Sequence, residues 1–307
     1  MTQPLAGVSI GIVPIIWNNA DITDLAPRVE ASTVMDEVAR LGFDGLQDGI
    51  GFPSGRALKA ALAKRGLRLA EVYAALPCSV DGPEAEALEI GRRRLNDLHD
   101  GGGEVLVVAL RFSPGRLERA GRADSPGTPT LTASGWKKLA ATLETLGNDA
   151  VALGHPLAFH SHAGTFVETP AELARLAELT DPALVGFCLD TGHTIVGGGD
   201  PLATLRRLGR RVVHVHLKDV AAEPLEAIRS GRLPDFLEAL RARIFTELGG
   251  GVLPVAALLD ELADRDYEGW LMVEQDTTWN PPSESAAVSR RVLDFALRMQ
   301  SEAEAAA

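Results

Sequence analysis

Short, continuous apolar runs alternate along this chain with longer segments in which apolar residues recur at helical spacing. The short runs are rich in Val, Leu and Ile, which is typical of strands buried on both faces of a sheet. The longer segments are apolar on one side only; residues 132–153 place Trp136, Leu139, Leu143 and Leu146 on one helical face. Glycine recurs between a helical segment and the next strand, where helix C-caps favour it. The pattern predicts a repeating unit of helix, glycine and strand.

Eight strands and eight helices follow from this pattern. The predicted strands are, in chain order, residues 8–16, FDGLQ, LRLAEVY, EVLVVAL, LAFH, DPALVGFCLD, RVVHVHLKD and EGWLMVEQD. The predicted helices include residues 30–41, 54–65, 132–153 and 284–299. Alternating strands and helices form parallel sheets, and a closed barrel of eight such units takes about 250 residues. The 307 residues therefore predict an α/β fold, a single (β/α)8 TIM barrel over residues 1–307 with a frayed tail at about 301–307.

Two long connections, residues 112–129 and 220–251, interrupt the repeat, and the second contains a short helical pattern around 233–243. Insertions of this length at a barrel mouth commonly shape or cover a substrate pocket. An open doubly wound sheet is the rival architecture. It is disfavoured because no junction between a strand and a helix carries a glycine-rich phosphate loop.

Histidine and carboxylate side chains follow or end the last four predicted strands: His160 and His162, Asp190 and His193, His214 with His216 and Asp219, and Glu274. The carboxyl ends of barrel strands meet at one mouth, so these side chains are expected to converge there. Two imidazoles and two carboxylates suit Mn²⁺, Fe²⁺, Co²⁺ or Zn²⁺ and suit Ca²⁺ poorly. A divalent metal site is the first functional prediction. Strand alternation puts both members of a histidine pair on one face, so which member binds stays open.

Composition excludes several classes of protein. A formal charge of −12 argues against a nucleic-acid partner, because such binding depends on basic patches. No apolar run approaches the roughly 18 residues that cross a bilayer, so no membrane partner is expected. The N-terminus lacks the basic start of a signal peptide, and Cys78 and Cys188 are too few for a disulfide framework. We expect a cytoplasmic protein with reduced thiols, and the sequence leaves the number of subunits open, a homo-oligomer included.

The runs HSHAGT, LDTGH, HVHLKD and GWLMVEQD, with IIWNNAD near the start, resemble the xylose-isomerase-like TIM-barrel superfamily of sugar isomerases, epimerases and lyases. Within it they are most similar to the myo-inosose dehydratase branch, over about residues 8–300. The resemblance implies a metal quartet of His160, Asp190, His216 and Glu274. His160 stands where most isomerases have the second of two proton-moving glutamates, which favours the dehydratase branch. The chain departs from that branch at Gln47, where glutamate is usual, and at residues 249–251, where an acidic residue is common.

The resemblance implies a metal-dependent lyase that dehydrates an inosose or a similar keto-polyol through an enediolate, with Mn²⁺ or Co²⁺ preferred over Zn²⁺, Fe²⁺ or Mg²⁺. Glu274 or His193 is the expected base, and His162 or Lys218 the expected acid. The expected substrate contacts are Trp17, Asn18, His162, His193, Lys218 and Trp279, with the tryptophans as walls against a sugar or cyclitol ring.

Three other readings remain beside this one. The nearest alternative is a metal-dependent ketose isomerase or epimerase, because the first proton transfer is shared and only the fate of the intermediate differs. An abasic-site endonuclease shares part of the strand-end pattern, but its basic surface and additional early-strand histidines are missing from this sequence. A catalytically inactive barrel used as a binding module would show no bound metal.

Overall fold

The computed structural model describes residue 5 and residues 7–305 of the chain. Eight parallel strands form a closed barrel. They are β1 (Ser9–Ile12), β2 (Gly45–Gln47), β3 (Arg68–Leu76), β4 (Val105–Leu110), β5 (Leu157–His160), β6 (Gly186–Asp190), β7 (Val212–Leu217) and β8 (Trp270–Val273). Each strand is hydrogen-bonded to the next in chain order, and β8 pairs with β1 to close the ring. The predicted (β/α)8 barrel is confirmed.

Twelve helices lie between or after these strands in the described residues. They are α1 (Ala31–Arg40), α2 (Gly55–Ala63), α3 (Ala87–Gly101), α4 (Pro114–Leu117), α5 (Ala133–Ala152), α6 (Pro170–Leu179), α7 (Thr191–Val196), α8 (Pro201–Leu208), α9 (Ala222–Arg229), α10 (Phe236–Arg241), α11 (Val255–Ala263) and α12 (Pro282–Ala305). The helices α4, α9 and α10 lie in the two long connections. The sequence predicts eight helices of the repeat and a short one around 233–243, which α10 confirms. The helices α4, α7 and α9 were not predicted, because helices of four to eight residues carry no long apolar period.

The end of the first strand and the end of the last helix differ from the sequence prediction. The first strand ends at Ile12, and a 3-10 turn at Pro14–Ile16 replaces its predicted second half. Proline lacks the N–H that a central strand must donate to its neighbour, which explains the early end. The closing helix continues to Ala305, beyond the predicted limit of 299, and so includes most of the segment expected to fray. Residues 306–307 lie outside the described residues.

Strand alternation decides which side chains enter the barrel. On β7, Val215 and Leu217 join the large apolar cluster between the sheet and the helices. His214 and His216, which alternate with them, therefore face the interior. On β3, Val72 and Ala74 do the same, which turns Glu71 and Tyr73 inward. The helical layer is apolar toward the sheet and polar outside. Among the described residues, no helix combines the length and apolar character needed to cross a membrane.

Candidate metal centre

Four side chains converge at the carboxyl end of the barrel, and they are the four that the sequence predicts as a metal quartet. His160 and Asp190 are the last residues of β5 and β6, His216 lies near the end of β7, and Glu274 follows β8. His160 Nε2 lies 3.3 Å from Asp190 Oδ2, and His216 Nδ1 lies 3.8 Å from the same oxygen and 2.6 Å from Glu274 Oε2. One ligand atom from each of the four lies within 4.8 Å of the others. The set can therefore surround a single ion.

A buried carboxylate that sequence reasoning missed lies beneath this set. Glu71, on β3, is fully buried, and its Oε2 lies 3.0 Å from His216 Nε2 and also contacts His214 Nε2. Burial works to raise the pKa of Glu71, but the two imidazoles outweigh burial and hold its pKa well below the usual range. The sequence could have indicated a role for Glu71, because it is a lone charge inside a strand buried on both faces, and such a charge requires a partner.

Lys218 is buried among acidic groups, although its sequence context was equally consistent with a solvent lysine. Its Nζ lies 2.7 Å from Asp276 Oδ1, 3.1 Å from Glu274 Oε1 and 3.4 Å from Asp190 Oδ2. Burial lowers the pKa of Lys218, yet these carboxylates outweigh burial and raise its pKa well above the ordinary value. The side chain passes close over Gly192, where an added Cβ would meet its Cγ at 2.6 Å. A charged ammonium is thus held beside two of the four proposed ligands.

His162 and His193 form a stacked pair next to the quartet, with ring centroids 3.6 Å apart. Burial lowers the pKa of both well below the usual value, with further lowering by His160 and Lys218 and, for His193, by His162. Both rings are therefore neutral near pH 7. His193 Nε2 lies 3.0 Å from Lys218 Nζ, and its backbone N–H donates to Asp190 Oδ1 at 2.7 Å. Neutral imidazoles in this position can accept protons.

The charge balance of the centre fits a divalent cation. Four carboxyl groups are buried within it: Glu71, Asp190, Glu274 and Asp276. They face two basic groups, Lys218, which pairs with three of them, and His216. Burial lowers the pKa of His216, but Cys188, Glu71 and Glu274 outweigh burial and raise its pKa well above the usual value. Buried carboxylates in such excess require further positive charge. His160 Nδ1 is also buried without a hydrogen-bond partner in the described part of the chain. Mixed nitrogen and oxygen donors match the first-row metals that the sequence predicts.

A cavity of about 750 Å³ opens onto the quartet. Its wall includes His160, His162, Glu274 and Asp276, and the aromatic rings of Tyr73 and Phe112. A volume of this size is ordinary for a site that encloses a small molecule. Among the proposed catalytic residues, His162 and Glu274 line the cavity, whereas His193 and Lys218 lie behind its wall.

The structure places the two predicted tryptophan walls away from this cavity. Trp17 and Trp279 line a separate pocket of about 270 Å³. Trp17 follows the 3-10 turn and is buried, and its Nε1 donates to Glu37 Oε2 at 2.6 Å, which draws the ring toward α1. Trp279 is exposed beside α12. Asn18 lines both spaces, but its amide is occupied by both backbone polar groups of Val29, at 2.8 Å each.

Comparison with known proteins agrees with this geometry. Residues 35–295 match the family described as xylose isomerase-like TIM barrel. The chain belongs to this family. Inosose dehydratase 1 of Bacillus cereus is 35% identical over 292 residues, which cover 93% of this chain and 96% of the relative. An inosose dehydratase of Bacillus thuringiensis is 34% identical over the same shares.

Solved structures of the xylose isomerase-like TIM barrel fold superpose on the whole chain. An L-ribulose 3-epimerase gives a TM-score of 0.71 at 19% identity and covers 98% of each chain. The IOLI protein, solved with a zinc atom, gives a TM-score of 0.69 at 13% identity, with 94% of this chain and 98% of that chain covered. At such identities the likeness shows the fold alone. The curated relatives are enzymes, and this chain matches them over nearly their whole length. This chain is an enzyme of the family.

Two acidic residues at the barrel mouth were not assigned a role from the sequence. Asp276 and Asp21 both line the cavity. Burial raises the pKa of Asp276 to about 7 and that of Asp21 to about 6.

Asp219, expected near the centre, instead accepts backbone hydrogen bonds from Gly249, Gly251 and Leu253 at 2.9–3.0 Å. It shapes the glycine turn and does not reach the quartet.

Proposed function

We propose that this enzyme is a divalent-metal-dependent dehydratase of an inosose or a similar keto-polyol. The observation that carries the proposal is the convergence of His160, Asp190, His216 and Glu274. They lie beside a cavity of about 750 Å³ whose wall includes His160 and Glu274. Support for the substrate comes from the two inosose dehydratases at 34–35% identity, which cover 93% of the chain. Cys78 and Cys188 are both free thiols, which supports a working place in the cytoplasm.

His160, Asp190, His216 and Glu274 would hold the cation, with Mn²⁺ or Co²⁺ as the proposed ions and Zn²⁺, Fe²⁺ or Mg²⁺ as alternatives. When bound, a divalent cation supplies Lewis acidity to the carbonyl and adjacent hydroxyl oxygens of a keto-polyol, which makes the α-hydrogen acidic. Lys218 holds Glu274 and Asp190 in place through ion pairs of 3.1 and 3.4 Å. The protein therefore orients its own ligands before substrate arrives.

Proton transfer is assigned to the two candidates that line the cavity. His162, which burial keeps neutral, takes the α-proton. The electrons of that C–H bond form the new double bond, the β C–O bond breaks, and the departing hydroxide takes a proton from the protonated imidazole and leaves as water. Glu274 is the second candidate base. His193 stacks on His162 and keeps its ring in place.

Dehydration is favoured over epimerisation by the residue at the end of β5. Proton delivery to the opposite face of a carbon needs a second group across the substrate, and His160 lies among the proposed ligands, 3.3 Å from Asp190 Oδ2. The Nε2 atom of His160 is used there as a ligand, whereas a carboxylate ligand such as Glu274 keeps a second oxygen that can take a proton. A single base that returns its proton to a leaving hydroxide requires no second group.

The test is incubation of the chelator-treated enzyme, reloaded with Mn²⁺ or Co²⁺, with 2-keto-myo-inositol and with ketohexoses. The expected product has lost one water and shows a new diketone absorbance. His162→Gln should lose most of this activity, whereas His155→Gln, a change in the surface pair His99–His155, should not. A product of unchanged mass would identify an isomerase or epimerase, and no reaction with any keto-polyol would refute the proposal.

A further inference from the structure

A second layer of polar side chains lies beneath the quartet, inside the barrel. It consists of Glu71 on β3 and His214 on β7, both fully buried. Glu71 Oε2 contacts His214 Nε2 and lies 3.0 Å from His216 Nε2. In the strand order of the barrel, β3 and β7 are four places apart in a ring of eight, so they face each other across the interior. The carboxylate of Glu71 therefore bridges the barrel from one wall to the other.

We propose that Glu71 is the positioning residue that makes His216 bind the metal through Nδ1. A carboxylate only accepts hydrogen bonds, so the ring nitrogen facing Glu71 must carry a proton. That nitrogen is Nε2, whereas Nδ1 faces Glu274 Oε2 at 2.6 Å and Asp190 Oδ2 at 3.8 Å. When His216 serves as a ligand, the proton it gives up is the one on Nδ1, because Glu71 retains the other.

His214 completes the arrangement by holding Glu71 from the same strand that carries His216. The two histidines are two residues apart on β7 and face the same side, so one carboxylate oxygen meets both rings. This geometry fixes the height and the tilt of the His216 ring before a cation arrives. The inference rests on the proposed metal site, but it concerns affinity and ligand geometry and does not depend on the substrate.

A competing arrangement is a second cation held by Glu71, His214 and His216, whose ligand atoms also lie within 4.8 Å of one another. It would need His216 to bind on both ring nitrogens. The single shared oxygen and the full burial of both partners favour the hydrogen-bonded arrangement. The number of ions bound per chain separates the two.

The experiment compares Glu71→Gln with the wild type after both are stripped of metal and titrated with Co²⁺ against a chromophoric chelator. We expect one Co²⁺ per chain and affinity lowered by about 10- to 100-fold in the variant, with a shifted Co²⁺ absorption spectrum. Glu71→Asp, which keeps the negative charge on a shorter side chain, should recover part of the Co²⁺ affinity that Glu71→Gln loses. Glu168→Gln is the matched control, because that carboxylate is equally buried and contacts none of the proposed ligands.

Affinity and spectrum unchanged in a folded Glu71→Gln would overturn the proposal, and so would two Co²⁺ ions per wild-type chain. Should the variant not fold, nitrogen NMR of the wild type with Zn²⁺ reports which nitrogen of His216 is metal-bound; Nε2 would overturn the proposal. A wild type that binds one metal ion but dehydrates no keto-polyol refutes the proposed function and leaves this inference intact. A wild type that binds no cation refutes both.

Discussion

Two buried clusters of charged side chains lie in this barrel, and they are built differently. The first joins Arg116 on α4 to Glu168 and Glu172 at the start of α6. Arg116 donates to both oxygens of Glu172, at 2.9 and 2.8 Å. Glu168 accepts from the backbone N–H groups of Gly121 and Gly164, at 2.7 and 2.8 Å. Every carboxylate oxygen in this cluster therefore has a donor from the protein itself.

The second cluster is the candidate metal centre. It places four buried carboxyl groups around one ammonium, and several of its polar atoms, among them His160 Nδ1 and Glu71 Oε1, are buried without hydrogen-bond partners in the described residues. In the first cluster Arg116 Nε alone is in that position among the described residues. Buried polar groups that lack a partner lower stability. The first cluster fastens the connection at residues 112–129 to the barrel. The second, with more unpartnered polar atoms, has the composition expected of a site in which stability is sacrificed for binding. Four predictions test that contrast, from the largest effect to the smallest.

The largest effect is expected for His216→Ala. Loss of one imidazole removes a proposed ligand and the partner of Glu71, so metal content measured by elemental analysis should fall to background. Because Lewis acidity supplies several kcal/mol of transition-state stabilisation, kcat/KM should fall by about 1000-fold or more. The helical circular dichroism signal should remain, since strand-end residues at the mouth serve chemistry more than folding. Full metal occupancy in this variant would remove His216 from the quartet.

Arg116→Met should act on stability and leave the metal centre intact. The change leaves the buried Glu168 and the largely buried Glu172 without their cation. This should lower the free energy of unfolding in urea by about 3–5 kcal/mol. Arg206→Met is the control, because Arg206 pairs with Glu261 on the surface and such pairs contribute about 0–1 kcal/mol. Metal affinity should not change. A loss of affinity like that of His216→Ala would show that the two clusters are coupled.

The free energy of unfolding should depend on pH through the titration of Glu168. Burial raises its pKa from the usual 4.5 to about 7, so between these values the native state binds more protons than the unfolded state. Stability from this group is therefore present at low pH and is lost as pH rises through about 7, by roughly 3 kcal/mol at most. Asp276 and Asp21, whose pKa values burial also raises, give both proteins a slope of the same sign. Urea unfolding of the wild type and Glu168→Gln at about pH 5 and pH 8 should therefore show the steeper loss of stability in the wild type. Parallel profiles would mean that Glu168 is ionised throughout.

Metal removal should produce the smallest of the four effects. A ligand that binds only the native state stabilises it by about 2.7 kcal/mol when present at 100 times its dissociation constant. Chelation should therefore lower the Tm of the wild type and of Arg116→Met by similar amounts. It should leave the Tm of His216→Ala unchanged. An equal response in all three proteins would show that chelation acts outside the quartet.

Much of the barrel and the proposed ligand set was readable from the sequence, while several neighbours were not. His160, Asp190 and His216 could be proposed together because each ends a run whose apolar period marks it as a strand, and strand ends share one mouth. Trp17, predicted as a substrate contact, lines a separate pocket, because Pro14 ends the first strand early and Glu37 accepts a hydrogen bond from the indole. The hydrogen bond from Trp17 to Glu37 joins residues from separate elements, so no local sequence pattern predicts it.

The alternation of short apolar runs with one-sided helical segments is a local property, and it was enough to predict the barrel and the residues that reach its mouth. Tertiary structure alone decided which nitrogen of His216 faces the proposed cation site, because that depends on Glu71, 145 positions away and on the opposite wall. It likewise decided that Lys218 is buried among carboxylates. Contacts across a barrel follow from its closure and from the stagger of its strands, which the sequence of any one strand does not contain.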